Sequence, residues 1–114
     1  IKAKKNDILQ ELGLKRDDLK SYHSKLKGYR YIENIKDLKY GAIIRWINLN
    51  KLDSIKLTRS AILCDMKILD KGIALVLRHF NNRFITLYLN ENLIFQQISQ
   101  EEQMLLKAIN YLND

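Results

Sequence analysis

Residues 62–98 read ILCDMKILDKGIALVLRHFNNRFITLYLNENLIFQQI and follow YGAIIRWINL at 40–49; these stretches decide the fold. Short apolar runs alternate with polar breaks at a nearly even spacing. Ile43–Leu49, Ile62–Leu69, Ile73–Phe80, Phe84–Leu89 and Leu93–Ile98 each predict one strand. The breaks at Asn50–Ser54, Asp70–Gly72, Asn81-Asn82 and Asn90–Asn92 carry the residues that turns need. Such a train predicts a meandering antiparallel sheet that curls into a small barrel. Local spacing suits an SH3-like or an OB-like order, and the SH3-like one is adopted.

Within the strands, the period of two assigns faces. Ile62, Cys64, Met66 and Ile68 share one face, which places Cys64 inside; Asp65 and Lys67 share the other. Ile85, Leu87 and Leu89 oppose Phe84, Thr86 and Tyr88. Ile73–Leu77 is apolar on both faces, as in a central strand covered by a helix or a partner. Asn81-Asn82 suits a two-residue hairpin turn, because Asn tolerates positive φ.

Helices flank the strands. Asn6–Leu12 sets Ile8, Leu9 and Leu12 at helical spacing and stops at Gly13; Asp17 or Asp18 can cap a second helix carrying Leu19, Tyr22 and Leu26, which Gly28 ends. Two helices this short bury little alone and are expected to pack on the barrel or on a partner. Tyr29–Ile32 is extended by composition, and 33–41 is an irregular connection in which Gly41 supplies special backbone geometry. At the other end, Ser99 and Glu102 make the S-x-x-E capping box. The stripe Met104, Leu105, Ala108, Ile109 and Leu112 predicts a helix that closes one end of the barrel. The expected fold is therefore α+β: a small antiparallel SH3-like β-barrel with two short N-terminal helices and a C-terminal capping helix. Residues 1–28 form the helical hairpin and 29–114 the barrel with its helix, as one compact unit.

Size and charge limit the function classes. A chain of 114 residues holds one modest core, and no apolar run approaches the roughly 18–20 residues of a membrane span. The lysines of IKAKKND precede no apolar segment, so no secretory signal is read there, and the first residue, Ile1, points to a processed, trimmed or partial chain. A single cysteine, Cys64, forbids an internal disulfide and suits a reducing, intracellular compartment such as cytoplasm or nucleus. Net charge is +7: residues 1–40 hold 11 Lys/Arg against 6 Asp/Glu, 41–90 hold 8 against 3, and 91–114 hold 1 against 4. A basic body with an acidic last helix attracts polyanions such as nucleic acid, although a charged face also serves plain solubility.

Motifs of catalysis are missing. No Walker-type loop, H-E-x-x-H, C-x-x-C or nucleophile elbow occurs. Two histidines, His23 and His79, and an inward Cys64 supply neither a metal site nor an activated nucleophile, and no cofactor is expected. The N-terminal helices have a helix-turn-helix rhythm with 17–27 as the recognition helix. However, a third helix is absent, and Asp17-Asp18 would meet phosphates at its leading end, so a docking hairpin is the better reading.

Aromatics interleave with cations instead: Lys27-Gly28-Tyr29-Arg30-Tyr31, Lys39-Tyr40, Arg45-Trp46, Arg78-His79-Phe80 and Arg83-Phe84. Single-strand binders use aromatics for base stacking and cations for the backbone. The expected nucleic-acid set is Lys27, Arg30, Lys39, Arg45, Arg78 and Arg83, with Tyr29, Tyr31 and Tyr40 as stacking platforms. This requires the tyrosines exposed on the side of Arg30, Arg45 and Arg78. The plainer alternative makes Trp46 and Phe80 core. A protein-binding groove lined by Tyr29, Tyr31, Tyr40 and Trp46, suited to an acidic partner, is a further reading.

The stretch 37–47, with its pattern L-x-x-G-x-x-I-R-W-I, resembles short barrel proteins encoded by large DNA viruses. The abundance of Ile, Lys and Asn, typical of AT-rich coding, is compatible with that. The resemblance implies an origin and carries no functional residues. The leading expectation is a non-enzymatic basic module that binds nucleic acid through phosphates. The alternative is a virion or complex-assembly module that docks a protein or a second copy through its helices or a strand edge.

Overall fold

The structure, a computed structural model, describes residues 2–50 and 56–113. Helices α1 (Lys2–Glu11) and α2 (Arg16–Lys25) lead into β1 (Tyr29–Ile32) and a 3-10 turn, Ile35–Asp37. A meander follows: β2 (Ile43–Asn48), β3 (Ala61–Leu69), β4 (Gly72–His79) and β5 (Phe84–Tyr88). A second 3-10 turn, Leu89–Glu91, then leads to β6 (Asn92–Gln97) and α3 (Gln100–Asn113). The fold is α+β, with six antiparallel strands in the order β1-β6-β2-β3-β4-β5. The turn expected at Asn50–Ser54 lies, apart from Asn50, outside the described residues.

Two cores share this sheet. On its inner face, Ile32, Ile44, Trp46, Leu63, Leu75, Leu77, Leu87 and Ile94 form one cluster, so both edge strands, β1 and β5, contribute to the same core. That requires the sheet to curl, yet β1 and β5 are its unpaired ends and the sheet stays open. On the outer face, Tyr29, Ile47, Leu93 and Phe95 pack against Leu9 and Leu26. The helical hairpin thus covers β1, β6 and β2, as its apolar stripe requires. Lys5 pins it: its buried ammonium donates to the carbonyls of Leu26 (2.9 Å) and Tyr29 (3.0 Å), where α2 ends and β1 begins.

Several local expectations need correction. The N-cap of α2 is Lys15, with no side-chain cap bond, and Asp17 and Asp18 lie in its first turn. Cys64 is exposed, not inside. The β3–β4 pairing runs Leu63↔Leu77 and then Asp65↔Val76, so Cys64 is the extra residue of a β-bulge. The bulge reverses the phase: Ala61 and Leu63 are buried before it and Met66 turns inward after it, while Ile68 is 89% exposed. The β4–β5 turn has three residues, not two: His79 N–H bonds to the Arg83 carbonyl, and Asn82 takes φ +67°. The capping box is half-formed. Ser99 Oγ accepts the Glu102 N–H at 3.1 Å, while the Glu102 carboxylate turns away to Arg30 Nη2 at 2.6 Å.

A further correction concerns α3, which does not cover an end of the sheet. Its stripe faces solvent, with Met104 71%, Leu105 64% and Leu112 80% exposed. Its first turn is tied down by the Ser99 cap, by Gln103 Nε2 on the Ile98 carbonyl, and by Arg30. Likewise β4 has β3, β5 and the Leu89–Glu91 turn as neighbours, and no helix lies over it among the described residues. Gly41 does take the positive φ (+82°) expected of it, and its N–H bonds to the Leu63 carbonyl. No described helix is long and apolar enough to cross a membrane.

The bulge makes adjacent residues differ sharply in cost. Leu63→Ala is expected to lose about 2–5 kcal/mol in urea unfolding. Cys64→Ser is expected to stay within about 0.5 kcal/mol of the parent. The reverse ranking would mean that Cys64 points inward.

Candidate functional site

Strand register distributes the predicted cations between two faces, since directly paired residues share a side. Tyr31, Phe95 and Arg45 form one outer row, and Ile43, Ile62, Arg78 and Phe84 form the next. Arg30 pairs with Gln96, which pairs with Ile44, so Arg30 belongs to the inner face. The structure therefore brings Arg45 and Arg78 to one side and leaves Arg30 on the other, tied to Glu102.

The tyrosines do not gather. Tyr29 is 7% exposed, with its hydroxyl 3.4 Å from Ser60 Oγ, so it cannot stack on a base. Tyr31 is half-buried under the helical hairpin, 5.7 Å from the Phe95 ring. Tyr40 is exposed, but it lies with Lys39 on the β1–β2 connection, where the Lys39 N–H is held by Gln96 Oε1. Lys27 is exposed in the turn between α2 and β1. The condition that Tyr29, Tyr31 and Tyr40 share one exposed side with Arg30, Arg45 and Arg78 is not met. Trp46 is core, as the plainer reading requires, whereas Phe80 is 65% exposed and is not.

A different set assembles around the β4–β5 turn. Arg78 lies opposite Phe84, which is 67% exposed, and its guanidinium reaches Asn82 Oδ1 at 3.4 Å. Arg83 follows in the chain, and Phe80 projects from the turn itself. Arg45 Nε donates to Ser60 Oγ at 3.2 Å, which draws Arg45 toward the start of β3. Arg59, Ser60, His79, Phe80 and Asn81 line an open cleft of about 360 Å³. The His79 ring packs against Trp46, 5.6 Å between ring centres and tilted at 43°. Arg45, Arg78 and Phe84 thus share the outer face, Arg59 and Phe80 line the cleft, and Arg83, paired with His79, faces the other side at the same end of the sheet. Arg59, Phe80 and Phe84 were not in the predicted set. The hairpin pattern offered a clue, since a tight turn projects its first residue whatever its hydropathy.

A second cleft, of about 350 Å³, lies at the opposite edge among Lys4, Arg30, Tyr31, Glu33 and Asp37. Its charges are internally matched: Lys4 Nζ meets Glu33 Oε2 at 2.8 Å, which pushes the exposed ammonium above its ordinary value. Burial, and then the carboxylates of Glu33 and Glu11, push the Tyr31 phenol up from 10.0. Among the described residues, no group of three His, Cys, Asp or Glu side chains is placed to hold a metal ion. No family model matches the chain, and no curated protein or solved structure is significantly similar to it.

The raised Tyr31 phenol has a pH signature. The fold favours its neutral form, so that contribution is complete below the ordinary value of 10.0 and is lost as pH climbs through the higher folded value. Above that ordinary value, parent stability should fall more steeply than that of Tyr31→Phe. Parallel urea-unfolding curves against pH would refute it.

Proposed function

We propose that this chain is a non-enzymatic, intracellular nucleic-acid-binding module, built on a small SH3-like barrel whose seam is open. The barrel reading is supported by the β2–β5 meander, by the return of β6 to pair with β2, and by one inner core shared by both edge strands. The binding reading is carried by one observation: Arg78 stands directly beside the exposed Phe84 on the β4–β5 part of the outer face, beyond the helical hairpin, which no helix covers among the described residues. Arg45, Arg59, Arg78 and Arg83 serve as phosphate contacts, and Phe80 and Phe84 take the stacking role first assigned to the tyrosines. Exposed rings flanked by guanidinium groups suit unpaired bases and a flexible backbone better than a closed duplex. Lys27, Lys39 and Tyr40 lie on other parts of the surface and are at most peripheral to this site.

A second reading, a virion or complex-assembly module, has its own support in the solvent-facing stripe of α3. A contiguous apolar stripe on an acidic helix is what a docking element presents.

Fluorescence anisotropy with single- and double-stranded DNA and RNA, at about 50 and 200 mM salt, separates these readings. Single strands should bind more tightly, and binding should weaken steeply with salt. Arg78→Ala and Arg83→Ala should each lower the salt slope by about 1, while Arg30→Ala leaves affinity unchanged. Phe84→Ala should cost about 1–3 kcal/mol if a base stacks there. Absence of binding at the lower salt sinks the nucleic-acid reading and leaves the assembly module.

A further inference from the structure

The two edges of the sheet are not alike. At the β1 edge, Arg30 is paired with Glu102, and the Lys4–Glu33 ion pair flanks the strand. Charges of this kind blunt an edge against further pairing. At the β5 edge, Phe84-Ile85-Thr86-Leu87-Tyr88 has no charge, no proline and no bulge, and β4 is its one paired neighbour. No residue of the strand itself guards its open side, although Lys71 of the β3–β4 turn sets its ammonium 6.0 Å from the Tyr88 ring centre.

Hydrogen-bond phase fixes which groups are open. The His79 N–H bonds to the Arg83 carbonyl at 2.8 Å, so His79↔Arg83 is a hydrogen-bonded position. Pairs alternate along an antiparallel ladder, so Ile85 and Leu87 direct their backbone groups to β4. The N–H and C=O groups of Phe84 and Thr86 and the N–H of Tyr88 therefore point to the free edge, while the Tyr88 carbonyl already accepts from Asn92 Nδ2 at 2.9 Å. These residues are spaced symmetrically about Thr86.

We propose that β5 pairs antiparallel with β5 of a second copy of this chain, about a two-fold axis at Thr86, to give one continuous sheet across a homodimer. This goes beyond the nucleic-acid reading and does not depend on it. In that register Phe84 faces Tyr88 of the second copy, Thr86 faces Thr86, and Ile85 faces Leu87. Aromatic pairs and Thr–Thr pairs are favourable cross-strand neighbours, and Ile85 with Leu87 would extend the inner core. In this register the outward groups of Phe84 and Thr86 and the Tyr88 N–H find partners, with the Tyr88 carbonyl accepting a second bond beside the one from Asn92, whereas a shift of one residue sets outward-pointing groups against inward-pointing ones. The interface is isologous, so the assembly closes at two copies. It also sets the Arg78–Phe84 faces of both copies on one side of the sheet.

Sedimentation velocity, from about 10 to 500 μM and without nucleic acid, should show the sedimentation coefficient rising with concentration. Each copy carries +7, so added salt should strengthen the dimer, opposite to its effect on nucleic-acid binding. Across the same range, amide exchange at Phe84, Thr86 and Tyr88 should slow by about 10-fold or more, with Ile85 and Leu87 unchanged. Thr86→Pro removes a donor that the β4 ladder does not use, so it should stay monomeric with an unaltered thermal melt. Thr86→Lys should also be monomeric, and mixing it with Thr86→Glu should restore the dimer, which keeps the test open if the proline variant fails to fold. A parent that stays monomeric throughout overturns the proposal. So does a dimer that Thr86→Lys leaves intact, or one whose new amide protection lies elsewhere.

Discussion

Strand β6 holds the molecule together. It pairs with β1 on one side and β2 on the other, and its side chains enter both cores, Ile94 inward and Leu93 and Phe95 outward. Between them Gln96, 3% exposed, uses both ends of its amide: Oε1 accepts from the Lys39 N–H and Nε2 donates to the Asp37 carbonyl, each at 2.9 Å. A buried amide satisfied on both sides rigidifies, whereas one left half-satisfied would cost about 1–3 kcal/mol. The β1–β2 connection is thus clasped to a strand far from it in sequence. The helical hairpin, resting on Phe95 and Leu93, depends on the same strand.

That arrangement makes the molecule lopsided. Around β6 the sheet is covered and its charges matched: the hairpin lies outside, the inner core lies within, and Arg30 and Lys4 have carboxylate partners, while the buried Asn92 Oδ1 has no hydrogen-bond partner among the described residues. On β3 to β5 the sheet is one layer with a bare outer face, where Arg78 has the neutral partner Asn82; Arg45, beside β6, likewise rests on a neutral one, Ser60. A guanidinium already holding a carboxylate has little left for a phosphate, whereas one resting on a serine or asparagine gives up little to bind an anion. Function is read at the bare end for that reason.

Most of the architecture was legible in the pattern of residues. The five strands from Ile43 onward fall within a residue or two of the periodic runs, because each face has a core to fill and turn residues punctuate each run. Tyr29–Ile32 was legible only as extended; its partner, β6, lies more than sixty residues away, and local periodicity carries no such distance. Cys64 was misplaced because a bulge adds a residue without changing local composition, and the rule of alternation then continues out of phase. The exposed α3 stripe has the opposite cause: amphipathicity says that a face wants covering, not what covers it. For the site, Arg45 and Arg78 were recoverable from alternation. The separation of Arg30 from them, and the burial of Tyr29, follow from pairing with β6 and from the hairpin resting there.

The order of pairing also bears on how the chain meets its fold during synthesis. The β2–β5 meander is made of neighbours in sequence and can close as soon as it leaves the ribosome. The helical hairpin and β1 emerge earlier still, but their platform, β6, comes after every other strand. Until then Leu9, Leu26, Tyr29 and Ile47 have no Phe95 or Leu93 to cover, and the N-terminal third of the chain waits with apolar groups in water. A nascent chain of this kind presents its sticky segment first and its cover last, a sequence of events in which a holding chaperone has the most to contribute.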